Sequence, residues 1–364
     1  MGKSKSGIDM RYLNKIFISA KWSVRTLAFL IFIALFGNII TSERANALLP
    51  PLIPYSATSQ DAKNMDYISP LAAQEVPSLY YKHWLGTDKL GRDVFAGIVS
   101  GTRTALLVGI GGMGIALIIG LLMGLVAGYY GNNRFKLSWI GLILRGCMIF
   151  SFIFYLSVFF QQGLNPLVLM LIFIAIFISI KIGESFLKKW NPIKNTVQIP
   201  FETIIMRVVE VVQAVPSILW LLGLIAVTGR MSIIGLVCFI GFTGWTLIAR
   251  LVRGEVIRVR QLEYVETAQA LGFSDFRILI KHILPNILTP ILIAVSFGIA
   301  NSILLEAFLT FSGLGLPIEQ VTWGSLLNAA KDDFQAWWMV VFPGIAIFIT
   351  VTIFNRIGEA MSER

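Results

Sequence analysis

Residues 103–128 read RTALLVGIGGMGIALIIGLLMGLVAG, and after Arg103 the stretch carries no charged side chain. A helix needs about 20 consecutive apolar residues to cross a hydrocarbon core of about 30 Å, so this run is long enough to span a bilayer. Lipid offers no water to backbone N–H and C=O groups. A run this long and this weakly alternating must satisfy them within itself, as a helix and not as a barrel strand. The segment from Gly109 to Gly114 (GIGGMG) formally matches a dinucleotide-binding pattern. No strand precedes it, and inside an apolar run small residues let helices pack closely, so the cofactor reading is rejected.

Seven further runs of the same kind flank this one, near 22–41, 139–160, 167–187, 203–228, 231–249, 287–311 and 337–356. The expected fold is therefore all-α, a polytopic membrane protein of about eight transmembrane helices. Composition agrees: of 364 residues, 56% are hydrophobic and 14% charged, and the mean hydropathy is +0.77. A soluble domain carries about 25% charged residues. The net charge of +10 fits loops facing the cytoplasm and anionic lipid better than nucleic acid.

With the N-terminus placed inside, the segments 1–25, 129–138, 188–202, 250–285 and 356–364 hold most of the 30 Lys and Arg. Outside, most of the basic residues fall in the long 42–102 loop, which counts weakly in the positive-inside rule. Both termini are thus expected in the cytoplasm. Ala45-Asn46-Ala47 after a basic and then apolar start imitates a signal-peptide cleavage site. The basic region runs to Arg25 and the apolar run is long enough to span, which favours an uncleaved first span.

Enzyme classes lose their candidates. Cys147 and Cys238 both lie in apolar runs, and the only histidines, His83 and His282, fall on opposite sides of the expected membrane. Neither a metal pair nor a Ser-His-Asp arrangement can be assembled from them, and no cofactor is expected. No G-x-x-x-x-G-K-[S/T] occurs, so the chain has no phosphate-binding loop for ATP.

Two polar segments carry information. The 42–102 loop is Pro-rich and ends in HWLGTDKLGRDVF, residues 83–95. Trp84 and Phe95 suit an interfacial belt, and Asp88 or Asp93 suits a helix cap. That explains the residue types but not their order. In the second segment, 250–285, Leu262, Val265 and Ala268 recur at three-residue spacing beside Tyr264 and Leu271. Such spacing gives a short amphipathic helix, Gly272 can supply its left-handed stop, and Ser274 and Asp275 can cap a second helix running to Pro285. This helix lies either on a partner or on lipid headgroups.

Charges inside spans are functional suspects. Arg103 and Arg145 also fall inside spans, and Lys181 and Glu184, near the inner end of an extra span, suit a snorkelling pair. Arg207 and Glu210 sit one helical turn apart and suit an ion pair or a gate, and Glu306 suits either helix packing or the translocation path.

The order of motifs resembles a known family. Glu266, Ala268, Ala270 and Gly272, followed by Ile283-Leu284-Pro285, are similar to the EAA-type cytoplasmic signature of permeases in ATP-binding-cassette (ABC) importers. The run at 85–93, Ala127-Gly128-Tyr129-Tyr130-Gly131, Gly313-Leu314-Gly315-Leu316, Trp323-Gly324 and Phe342-Pro343-Gly344 resemble the oligopeptide, dipeptide and nickel permeases, in the order of their second, C-type subunit. The resemblance covers roughly 22–131 and 201–360. It implies a type I importer permease, probed first with peptides and then with nickel. The implied partners are a sister permease, two ATPase subunits that hydrolyse ATP and an external solute-binding protein. Glu266, Ala268, Ala270, Gly272 and Pro285 would form the ATPase-coupling element. Residues 132–200 depart from the pattern as an inserted pair of spans, and the permease domain proper is 103–364. An ion-coupled secondary transporter or a membrane scaffold is the competing class, but no internal repeat of the kind secondary transporters show is visible.

Overall fold

A computed structural model of the protein describes residues 21–41, 51–132, 136–138, 174–175, 178, 196–198, 200–317 and 320–362. Its helices are α1 (Lys21–Ile40), α2 (Val94–Tyr130), α3 (Phe201–Ala214), α4 (Ser217–Thr228), α5 (Ile233–Arg260), α6 (Glu263–Ala270), α7 (Asp275–Ile278), α8 (Leu284–Phe311), α9 (Trp323–Ala329) and α10 (Trp338–Ser362). Among the described residues, four helices are long and apolar enough to cross a membrane: α2, α5, the run Asp275–Phe311 and α10. The α3–α4 pair makes a fifth if its two halves are one span. The chain is therefore a helical polytopic membrane protein, with four to five such spans among the described residues. The expected span at 139–160 lies outside the described residues, as does that at 167–187 apart from Ile174, Ala175 and Ile178.

Two expectations are corrected. The span read as continuous over 203–228 is broken, with α3 and α4 meeting at 75°. Pro216 precedes α4 in an extended conformation, φ −52° and ψ 133°; it has no N–H to donate and disfavours helix at Val215, so the first half must stop there. The fold is also not purely helical. Lys136–Ser138 and Thr196–Gln198 pair as a short antiparallel ladder, Leu137 opposite Val197. This ladder belongs to a separate compact unit, Tyr130–Met206. Thr and Val suit extended backbone better than helix.

In the other unit, α2 is the axis. Its 37 residues extend roughly 55 Å. A stripe of glycines four apart lets α5 approach: a Cβ built on Gly120, Gly124 or Gly128 would lie 2.7, 2.5 or 2.8 Å from the Cβ of Ile248, Val252 or Val256. Gly109 and Gly112, two of the four glycines in that rejected run, meet Ile303 of α8 and Ile240 of α5 instead. At its start α2 runs nine residues beyond the expected boundary of 103, because Asp93 caps it: the Ala96 amide donates to Asp93 Oδ1 at 2.7 Å.

The order of residues 83–95 now has a physical account. His83 is fully buried; its Nδ1 meets Asp93 Oδ2 at 2.8 Å and its Nε2 meets Asp61 Oδ2 at 3.3 Å. Tyr55 stacks on the ring at 4.2 Å. Burial pushes the imidazole pKa down, but the hydrogen bonds and charges of Asp93 and Asp61 outweigh it and hold His83 above its ordinary 6.5. Asp88 accepts from the Leu90 and Arg92 amides, each at 2.9 Å, and from Arg92 Nε at 2.6 Å. Trp338 of α10 donates its indole N–H to the Thr87 carbonyl at 3.1 Å. Gly86 turns with φ +80° under that indole, where a Cβ would lie 2.8 Å from Nε1. The motif thus braces the 51–93 lobe onto the ends of α2 and α10.

Candidate functional site: the α6 surface

α6 is too short to hold itself together in water, so its position depends on what its buried face touches. Val265 is fully buried and Ala268 is 4% exposed, while Glu263, Glu266, Thr267 and Ala270 face outward. The apolar face expected from the three-residue spacing is therefore split. Val265 and Ala268 turn into the chain, and Leu262, Tyr264 and Leu271 are exposed.

The helix ends as its sequence requires. Gly272 adopts φ +76°, its amide donates to the Gln269 carbonyl at 3.0 Å, and the Phe273 amide reaches back to Ala268 O at 3.2 Å. This closes the last turn and leaves open space around Gly272. Ser274 stands at the start of α7 without a side-chain cap. Asp275 instead accepts from the Tyr129 hydroxyl at 2.9 Å.

Tyr129, at the foot of α2, is a junction. Its carbonyl accepts from Arg260 at 2.9 Å, and the same guanidinium lies 5.8 Å from the centre of its ring. The Gly-Tyr-Tyr motif thus ties α2 to the end of α5 and the start of α7, which bracket α6. On the other side, Asn286 of α8 donates to the Tyr264 hydroxyl at 2.9 Å and to the His282 carbonyl at 2.6 Å. Burial pushes the Tyr264 phenol up from 10.0, and Arg258 only partly opposes it.

No loop separates α7 from the long span. Residues Leu279–Ile283 form a π turn, with the Leu284 amide donating to Leu279 O, and Pro285 sits in the first turn of α8. Pro285 cannot donate, so a widened turn before it accommodates the missing bond. Force applied at α7 therefore reaches α8 through continuous helix, while α6 joins α7 through the turn at 271–274.

The outer face of this region is apolar at its centre and acidic at its edge. Leu271 and Phe276 are largely exposed, with Phe273 beside them. Arg277 lies 4.6 Å over the Phe273 ring. Glu263 and Glu266 flank the cluster on α6.

The remaining candidates fall elsewhere. Arg207 donates to Glu210 at 2.7 Å on an exposed face of α3, the two side chains 74% and 52% exposed. Glu306 is 1% exposed inside α8, where Thr310 donates to its Oε1 at 3.0 Å. Its Oε2 has no partner among the described residues. α9 packs onto this turn so closely that a Cβ on Gly324 would lie 2.5 Å from the Ala307 carbonyl. Sequence reasoning missed Tyr129, Arg260 and Asn286 as supports of α6. Only the Tyr-Tyr motif signalled one of them, because the other two act through folded proximity. Among the described residues, no group of three or more His, Cys, Asp or Glu is placed to hold a metal.

Residues 198–364 match the family model described as the binding-protein-dependent transport system inner membrane component. A glutathione transport system permease protein of Pectobacterium atrosepticum is 31% identical, over 86% of this chain and 78% of that protein. A dipeptide transport system permease protein of Alkalihalophilus pseudofirmus is 30% identical, over 89% of this chain and 82% of that protein. An oligopeptide transport system permease protein of Bacillus subtilis is 27% identical over 77% and 70%. The α6 surface, the braced 51–93 lobe and these matches across both lead to one conclusion: the chain belongs to the binding-protein-dependent transport system inner membrane component family, the permeases of ABC importers.

Proposed function

We propose that the chain forms one half of the translocation path of an importer for peptides or peptide-like solutes, with α6 seated on a separate ATPase subunit. The observation that carries this is the continuity of α7, the π turn and α8, with α6 tied to α8 by the Tyr264–Asn286 hydrogen bond and to α7 by the turn at Gly272. It is a lever whose exposed end is apolar and whose other end is a span. Glu266, Ala270 and Gly272 supply outward contact, Ala268 keeps α6 close to its own chain, and Pro285 sets the turn that joins the lever to the span. The related glutathione, dipeptide and oligopeptide permeases support a peptide-like solute.

In this reading both termini lie in the cytoplasm, α1 and the α3–α4 pair each count as a span beside the other four, and residues 132–200 add a hairpin of two more, which brings the total to eight. A sister permease completes the path, and a solute-binding protein delivers at the 51–93 face. Arg207 and Glu210 stand on the exposed α3 face, available to the path. Glu306, buried on α8 where α9 packs against Ala307 and Thr310, serves either that packing or the path.

The test is purification of the tagged full-length chain from its native membrane in mild detergent. A second permease and ATPase subunits are expected in near-equal amount, and they should be lost on Gly272→Trp while the chain stays in the membrane. Recovery of the wild-type chain without any ATPase overturns the proposal.

A further inference from the structure

Arg103 stands on a membrane helix with no ion-pair partner among the described residues. Counting along α2, it lies 26 residues from Tyr129, roughly 39 Å. A bilayer with its headgroups is about 40–45 Å thick. With the foot of α2 at one headgroup layer, Arg103 sits at the other, on the face opposite α6.

Two cavities meet at this side chain. The first, about 390 Å³, is mixed: Thr41, Ser56, Thr58, Ser100, Thr104 and Gln320 line it with Arg103, beside Val99, Ile233 and Val321. The second, about 510 Å³, is apolar and runs between α1 and α2 along Ile31, Leu35, Leu106, Leu107 and Ile110. Arg103 and Leu107 belong to both. Arg103, Leu107 and Ile110 are all exposed and share one face of α2. From Arg103 to Gly111 the groove descends roughly 12 Å toward the membrane interior.

A single cation among hydroxyls at headgroup depth, opening into an apolar groove that leads into the bilayer, matches one kind of molecule. We infer that this is a binding site for one phospholipid, its phosphate on Arg103 and one acyl chain between α1 and α2. An unpartnered cation at a membrane surface favours a phosphate through charge-assisted hydrogen bonds. Neither inorganic phosphate, which leaves the groove empty, nor diacylglycerol, which leaves Arg103 unpaired, satisfies both halves.

The full-length chain, with any subunits that accompany it, is purified in mild detergent and its retained lipid counted by native mass spectrometry. One phospholipid per chain is expected to survive washing. Arg103→Ala should weaken retention about tenfold, the loss of one charge-assisted contact, and Arg103→Lys should restore most of it. Leu107→Trp fills the groove with Arg103 intact and should reduce retention as well, so the site stays testable if either variant folds poorly. After delipidation, phosphatidylglycerol in nanodiscs should restore the retained species. Equal retention by wild type, Arg103→Ala and Leu107→Trp overturns the inference. So does restoration by diacylglycerol or inorganic phosphate alone.

Discussion

Gly272 holds φ +76° at the end of α6 with no neighbouring atoms near a would-be Cβ. A side chain there meets no clash, only the backbone cost of the left-handed region, about 1–2 kcal/mol. Gly272→Ala should therefore leave the spans folded and loosen the last turn of α6. Solute uptake in membrane vesicles should fall severalfold while the amount of chain in the membrane stays constant. His83 gives a second residue-scale prediction. Its pKa is raised on folding, so its contribution is fully present below the unfolded value near 6.5 and is lost as pH rises through the folded value. Asp61 is the opposite case. Burial pushes its carboxyl up, but hydrogen bonds from Asn64, the Lys63 amide and His83 outweigh this and hold it below 3.8. Its contribution is present above the unfolded value and fades as pH falls through the folded one. The 51–93 lobe should thus be tightest between about pH 4 and 6.5. Hydrogen-exchange protection factors of this segment should decline toward alkaline pH, and His83→Gln should flatten that decline. Removing one member of such a buried charged set costs about 3–5 kcal/mol, so His83→Ala should open the lobe to protease at every pH.

At the scale of elements, the glycine stripe of α2 is the most sensitive seam. Gly124→Leu would drive a side chain into Val252 and the Ala249 carbonyl, and overpacking of this kind costs about 1–3 kcal/mol or more. A lower thermal midpoint of the purified chain, with no matching effect from Gly114→Ala where nothing lies within 4 Å, checks this. Much of the element list was legible in the sequence because lipid imposes one rule on every span. The apolar runs at 103–128, 231–249, 287–311 and 337–356 all fall on helices. What escaped is what depends on single backbone groups. Pro216 breaks a run that hydropathy reads as continuous, Asp93 extends α2 past its apolar stretch, and the π turn before Pro285 leaves no trace in composition. The α6 helix and its Gly272 stop were readable from spacing. Its supports at Tyr129, Arg260 and Asn286 were not, since they come from distant parts of the chain.

At the scale of the molecule, the 51–93 lobe and the α6 surface stand at opposite ends of α2, joined by unbroken helix. If α6 faces the cytoplasm, a cysteine introduced by Leu271→Cys should react with an impermeant maleimide only after cells are opened, whereas one introduced by Leu71→Cys, exposed on the lobe, should react from outside. The reverse pattern would invert the topology proposed above. One consequence of the glycine stripe remains. With β-carbons excluded from one side and Ile248, Val252 and Val256 filling the other, α2 and α5 leave no room between them for even a file of water. Over Gly120–Gly128 the pair is sealed, so a conduit for solute opens along the flanks of the two helices and not between them there.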